Sequence, residues 1–300
     1  MHKEVKIMGK TIIRVPATAA NLGPGIDSIG AALHLYLTVI IEEKTEKWRV
    51  NHALGTEIPR DENNLMVKTA LQVNPKLTPH QLTVMSDIPV SRGLGSSTSA
   101  IIAGIKIANE LGEMDLTIPE QLNWAVKLGG ELDNVAPALL GQAAVATVNE
   151  DEATAIKLPL PELRVLVFIP GQKLLARKSR EALPKDLPFA TAVHASGVAN
   201  VLVAALLTKD WELAAKMIER DEFHEQARSQ LVPELKQIRD AAHELGITGT
   251  YLSGAGPTVV TFGTSAQVTL LRTKLAKLDL AGSLRILDLD PDGATVLTDA

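Results

Sequence analysis

Three hundred residues, 46% apolar and 22% charged, give a globular chain with enough material for one large or two ordinary domains. A net charge of −5 with no run of Lys or Arg argues against nucleic acid as a partner, because holding a phosphate backbone needs concentrated positive charge. The absence of cysteine excludes disulfides, thiolate metal sites and a cysteine nucleophile, and 3% aromatics leave little for base stacking.

In chain order, MHKEVKIMGK lacks the apolar core of a secretion signal, which points to the cytoplasm. TIIRVPATA and AALHLYLTVIIEE read as strands around a glycine-rich turn, NLGPGIDSIG. A strand over 81–90 leads into SRGLGSS, and a small-residue amphipathic helix is expected over 96–112. PEQLNWAVKLGG, running into ELDNVAPALLG, is a second helical candidate. After Glu150-Asp151-Glu152 the strand pattern resumes with RVLVFIP. A helical block then covers 189–220, and PELKQIRDAAHELG is a helix with a glycine stop. The strand–turn–strand YLSGAGPTVVTFG, a helix over 265–278 and a strand SLRILDLD follow. Strands and helices mix without strict alternation, so the expected class is α+β in two lobes. Acidic residues and two prolines near 150–163 set the boundary, giving domains of 1–158 and 159–300. Apolar stretches such as VANVLVAALL from Val198 are too short to span a bilayer, so no membrane partner is expected.

The strongest chemical signal is PVSRGLGSSTSA, residues 89–100. Two glycines allow a tight turn, and Ser96 and Ser97 can cap the helix that follows. Free N–H groups and the macrodipole at such a helix start form an anion site, and a nucleotide phosphate is the natural anion. No Walker G-x-x-x-x-G-K-[ST] sequence occurs. Taken alone, the loop fits an ordinary strand–turn–helix equally well. Two further glycine turns, PATAANLGPGIDSIG and YLSGAGPT, lie far away in sequence, and several such turns meeting at one cleft is how α+β enzymes build a nucleotide site.

These three segments, with DNVAPALLG at 133–141, LPKDLPFATAVHASGVAN and ARSQLVPEL, resemble the GHMP small-molecule kinases over nearly the whole chain, most closely the branch acting on homoserine. The resemblance implies ATP- and Mg²⁺-dependent phosphorylation of the L-homoserine hydroxyl in threonine biosynthesis, and a homodimer. It also implies an N-terminal lobe with a left-handed β-α-β unit and a ferredoxin-like C-terminal lobe. Matched position by position, Pro89, Arg92, Gly93, Leu94, Gly95, Ser96 and Ser97 fall in the ATP loop, with Ser97 reaching the metal. Asn21, Asp27, Asn134, Arg180, Arg228 and Gly256 fall on the substrate side, and Asn134, Asp133 and Arg180 beside the chemistry. The residue types suit an amino acid: a carboxylate for its ammonium and guanidinium forks for its carboxylate. Other readings stay open for two of them: Asp27 as a turn-stabilising residue, and Arg228 as a solvated helix-end arginine.

The chain departs from the family's E-G-H-P-D-N run, reading Gly129-Gly130-Glu131-Leu132-Asp133-Asn134. The metal glutamate is thus Gly129 and the substrate-side histidine is Glu131; Ala176 replaces a threonine and Ile26 a phenylalanine. In an extended segment residues two apart project to one side, so Glu131 could stand in for the lost metal ligand, whereas in a helix it could not; equally, its negative charge could disturb binding of the substrate's carboxylate. Asp133 is the one general-base candidate the motif supplies. The alternatives are a GHMP kinase for another small alcohol, or an ATP- or amino-acid-binding protein with impaired chemistry. Asp288 to Asp299 mimics a Ca²⁺ loop, but a strand precedes it, so an acidic turn is expected.

Overall fold

The structure, a computed structural model, describes residues 10–298; residues 1–9, Asp299, Ala300 and the side chains of Ala176 and Thr298 lie outside what it describes. The first half runs β1 (Thr11–Ala20), β2 (Ile29–Lys44), β3 (Arg49–Asn51), α1 (Leu65–Val73), β4 (His80–Ser86), α2 (Ser96–Gly112), α3 (Ile118–Lys127), α4 (Leu132–Leu140), β5 (Ala143–Asn149) and β6 (Glu152–Leu158). The second runs β7 (Arg164–Pro170), α5 (Ala176–Glu181), α6 (Phe189–Leu207), α7 (Trp211–Ile218), α8 (Glu225–Arg228), α9 (Glu234–His243), β8 (Thr250–Leu252), β9 (Val259–Gly263), α10 (Ser265–Leu275), β10 (Gly282–Asp288) and β11 (Thr295–Thr298).

The strands form two sheets, as expected for a two-lobed α+β chain. In the first, the path is β11-β1-β2-β4-β3, with β5 pairing the start of β2 and β6 pairing β5. The second is antiparallel in the order β10-β7-β9-β8, the order of a ferredoxin-like unit. The chain crosses between sheets after Leu158, yet β11 returns to pair with β1. A second lobe taken as 159–300 therefore sends its last strand back into the first. Strand β7 shows why the lobes are not independent. Its Val165, Val167 and Ile169 join the core shared with the first sheet, while Leu166 and Phe168 pack with Leu235, Ile238 and Val268 on the other side. Such two-sided burial is what an unbroken apolar run like RVLVFIP encodes.

Helix α2 covers the expected 96–112, and its buried residues from Thr98 to Ala108 include the run Ile101–Ala108, so it lies in the middle of the first lobe. The helical block at 189–220 needs correction. It is two helices, broken at Thr208–Asp210, because Lys209 takes φ +61° and the Asp210 side chain caps α7 by accepting from Leu213 N. The membrane argument needs correction too. Helix α6 extends to 19 residues and is, by length and composition, apolar enough to cross a bilayer. The acidic turn near the C-terminus is internally satisfied: Asp290 accepts from Tyr36 Oη at 2.5 Å and from the Asp292 and Gly293 N–H groups.

Candidate active site

The glycine loop enters α2 through Gly95, the cap residue, at φ +69°. No side chain caps the helix, so the expected serine cap is not formed. Ser96 and Ser97 are instead the first two helical residues, and the N–H groups of the first turn have no capping oxygen. That leaves the helix start open to an anion.

The loop is tied down from behind. Arg92 Nε donates to Pro170 O at 3.0 Å and its Nη2 to Gly171 O at 2.7 Å. Ser253 Oγ donates to Gly93 O at 2.6 Å and Thr258 Oγ1 to Arg92 O at 2.5 Å. A Cβ on Gly93 would lie 2.6 Å from Ser253 O and 2.8 Å from Gly256 O. The SGAGPT turn, Gly256 included, is thus the wall against which the loop packs. Leu94 is buried and offers its carbonyl to Thr18 N at 3.2 Å.

Asn134, in the first turn of α4, joins this loop to the rest of the site. Its Oδ1 accepts from Thr18 Oγ1 at 2.6 Å and its Nδ2 donates to Asp133 Oδ1 at 3.0 Å. Asp133 is almost wholly buried, and desolvation, with the charges of Glu131 and Asp27, raises its pKa to about 8; the Asn134 hydrogen bond opposes the shift.

The turn between β1 and β2 supplies the third part. Asn21, at φ +74°, is buried and donates from Nδ2 to Gly254 O at 3.2 Å. Gly23, at φ +79°, packs so tightly that a Cβ would fall 2.1 Å from Ile218 O. Asp27 stands out of this turn 3.8 Å from Arg180 Nη2, and Glu131 reaches the same nitrogen at 2.7 Å. Glu131 is the cap residue of α4 in extended conformation, φ −79° and ψ 133°, and its carboxylate is engaged by Arg180. Gly129 has open space around it but sits at φ +87°, so a glutamate there would be strained.

Arg228 is not solvated. It is buried, donating from Nε to Ser179 O at 3.3 Å and from Nη1 to Gly254 O at 3.0 Å, and burial lowers its pKa from the usual guanidinium value. His224 holds it in place: its Nδ1 faces Arg228 Nη1 at 3.2 Å and its Nε2 faces Gly23 O at 3.0 Å. With Arg228 donating, the ring carries its proton on Nε2.

Beside the open end of α2 lies a cleft of about 390 Å³, walled by Leu54, Ile58, Met66, Ile88 and Val90, with Asn63 and Asn64 at its edge. Ser96 and Ser97 line it as well. Lys173 pairs with Glu57, another lining residue, at 3.6 Å.

The profile for the GHMP kinase N-terminal domain matches residues 64–142, and that for the GHMP kinase C-terminal domain matches 202–278. The chain belongs to the GHMP kinases. Within them it stands with the homoserine kinases: that of Lactiplantibacillus plantarum is 50% identical over 285 residues, covering 95% of this chain and 98% of the relative. The homoserine kinase of Listeria innocua is 47% identical over 95% of this chain and 99% of its own. The solved structure of a Listeria monocytogenes protein assigned as a homoserine kinase superposes with a TM-score of 0.87 at 44% identity, over 97% of this chain and 100% of that one. Mevalonate diphosphate decarboxylase from Enterococcus faecalis shares the fold at TM-score 0.70 and 15% identity, over 97% of this chain and 100% of that one.

Three parts of this kinase's site carry no sequence signal of their own. The cleft walls at 54–66 carry no motif, only the Asn64 cap of α1, which accepts from Met66 N. Thr18 sits inside PATAAN with no spacing or pattern that marks a role. His224 looked like one histidine among seven, and only its burial between Gly23 and Arg228 sets it apart.

Proposed function

We propose that this kinase transfers the γ-phosphoryl group of ATP to the hydroxyl of L-homoserine, with the parts of the site in the following roles. The observation that carries this reading is the position of Asn134. Its amide lies against the glycine loop, with a Cβ on Gly95 falling 3.0 Å from Oδ1, while Asp133 and the Asp27–Arg180–Glu131 cluster adjoin it. An anion site and an amino-acid site thus meet at one side chain.

The base and ribose of ATP enter the cleft walled by Leu54, Ile58 and Val90, and its phosphates meet the N–H groups of Ser96 and Ser97. Asp27 accepts the substrate's ammonium; Arg180 and Arg228 take its carboxylate. Asn134 orients the hydroxyl toward the phosphate, and Asp133 is the one candidate to accept its proton. Transfer through a loose transition state depends mostly on such positioning and on charge. Mg²⁺, when bound, neutralises charge between the β- and γ-phosphates. The oxygen this chain offers it is the Ser97 hydroxyl, exposed at the start of α2. Among the described residues no cluster of three or more His, Cys, Asp or Glu is placed to hold a metal. The donors present fit an ion held chiefly by phosphates and water, as Mg²⁺ tolerates.

The same reading includes a cytoplasmic homodimer. Phe189, Val193, Val201 and Leu207 of α6 are exposed, and Gly197 has nothing within 4 Å of a built Cβ. A mid-helix glycine costs about 0.5–1 kcal/mol relative to alanine, and close approach of a second copy gives it a reason. His194, paired with Glu222 at 2.9 Å, and Asn200 interrupt the stripe, which suits a protein surface better than lipid. Gly197→Arg should convert a dimer to monomer in sedimentation velocity; a monomeric parent protein would refute the dimer.

The kinase assignment is tested by ADP release from MgATP with L-homoserine, mevalonate and simple sugars in parallel. Turnover specific to homoserine is expected. Turnover with another alcohol alone, or ATP binding without any turnover, would overturn it.

A further inference from the structure

Thr18 lies on β1, more than one hundred residues before Asn134, and is 1% exposed. Three contacts converge on it. Its hydroxyl donates to Asn134 Oδ1 at 2.6 Å, and its N–H donates to Leu94 O at 3.2 Å. The third is Gly95, where a Cβ would fall only 2.0 Å from Thr18 Oγ1. The cap residue of α2 and the amide of Asn134 are therefore both spaced by one hydroxyl group. A glycine is needed at 95 on two counts, its positive φ and the room that Oγ1 occupies.

The bond also decides which way the amide faces. With Oδ1 taken by Thr18, Nδ2 is turned to Asp133. Remove the hydroxyl, and Oδ1 becomes a buried acceptor with no donor, free to rotate away from its contact. Buried polar groups left unpaired carry a large penalty, so the amide would seek a different arrangement. A shift of one ångström in a group that aligns a nucleophile is enough to slow transfer by orders of magnitude.

We propose that Thr18 is a positioning residue for phosphoryl transfer, its hydroxyl fixing the orientation of Asn134 and the distance of that amide from the ATP loop. The proposal rests on the reading of the site given above. Thr18 acts through Asn134 and does not itself touch the reacting atoms.

The test compares Thr18→Val, which keeps the shape and removes the hydroxyl, with Thr18→Ser, which keeps the hydroxyl. The expected result is a fall in kcat of about 10- to 100-fold for valine, with the KM for ATP changed less than about 3-fold. Serine should recover kcat to within about 3-fold of the parent. A double-mutant cycle with Asn134→Ala separates positioning from packing: once Asn134 is gone, adding Thr18→Val should cost nothing further. Should the valine protein not fold, Thr18→Ala replaces it in the same cycle. Valine with parental kcat, serine as slow as valine, or additive losses in the cycle would each overturn the proposal while leaving the kinase assignment standing. A parent protein without homoserine-dependent turnover would overturn both.

Discussion

The two halves of the site are built from different materials. The half proposed for ATP is backbone: two glycines at positive φ, an uncapped helix start, and a loop fastened by Arg92, Ser253 and Thr258 to the second lobe. The half proposed for homoserine is side chains, and it is graded. Arg228 is buried and held by fixed carbonyls, whereas Arg180, Asp27 and Glu131 have side chains 52–59% exposed. Backbone sites are preorganised and tolerate little change in shape. Exposed charge clusters exchange partners at small cost, so they are where a family can vary its residues without losing its fold.

This contrast predicts a ranking. The largest effect belongs to Gly95→Ala, which forces a Cβ into Thr18 Oγ1 at φ +69°. A loss of about 100-fold or more in kcat/KM is expected, since the loop and Asn134 move together. A nearly normal enzyme would break the distinction between the halves. Next comes Arg228→Lys, which keeps the charge and loses the fork. The KM for homoserine should rise about 10- to 100-fold while that for ATP stays put. Its melting point should fall as well, because Ser179 O and Gly254 O lose buried donors worth about 1–3 kcal/mol.

Asp133 gives a pH signature on stability. Its carboxyl has a pKa of about 8 in the folded protein, above the ordinary carboxylate value near 4. Between those two values the folded state binds the proton and the unfolded state does not. Stability from this group is therefore full below about pH 4 and lost as pH rises toward about 8. Denaturant unfolding of Asp133→Asn across that range should lack this decline; an unchanged slope would assign it to other groups. The smallest effect is at the exposed cluster. Glu131→Gln frees Arg180 from a pair worth about 0.2–1 kcal/mol, so the KM for homoserine should drop by no more than about 5-fold. A large loss of kcat instead would make Glu131 part of the chemistry.

The same division explains how much could be read in advance. Helix 96–112, the strands around NLGPGIDSIG and the loop glycines were legible because local backbone demands are written in local residues. The return of β11 to β1 and the bond from Thr18 to Asn134 depend on contacts across more than one hundred residues, and the burial of Arg228 on carbonyls 49 and 26 residues away. No periodicity or spacing encodes those. The Gly129 and Glu131 departures were visible, but their consequence was not. Only the extended cap of α4 and the position of Arg180 show that Glu131 is drawn to a guanidinium.

The most direct test identifies the product. Phosphorus NMR of the purified kinase with MgATP and L-homoserine should show ADP and one phosphomonoester whose signal is coupled to the terminal methylene protons of homoserine. ATP left intact, or ADP with inorganic phosphate alone, would contradict the account.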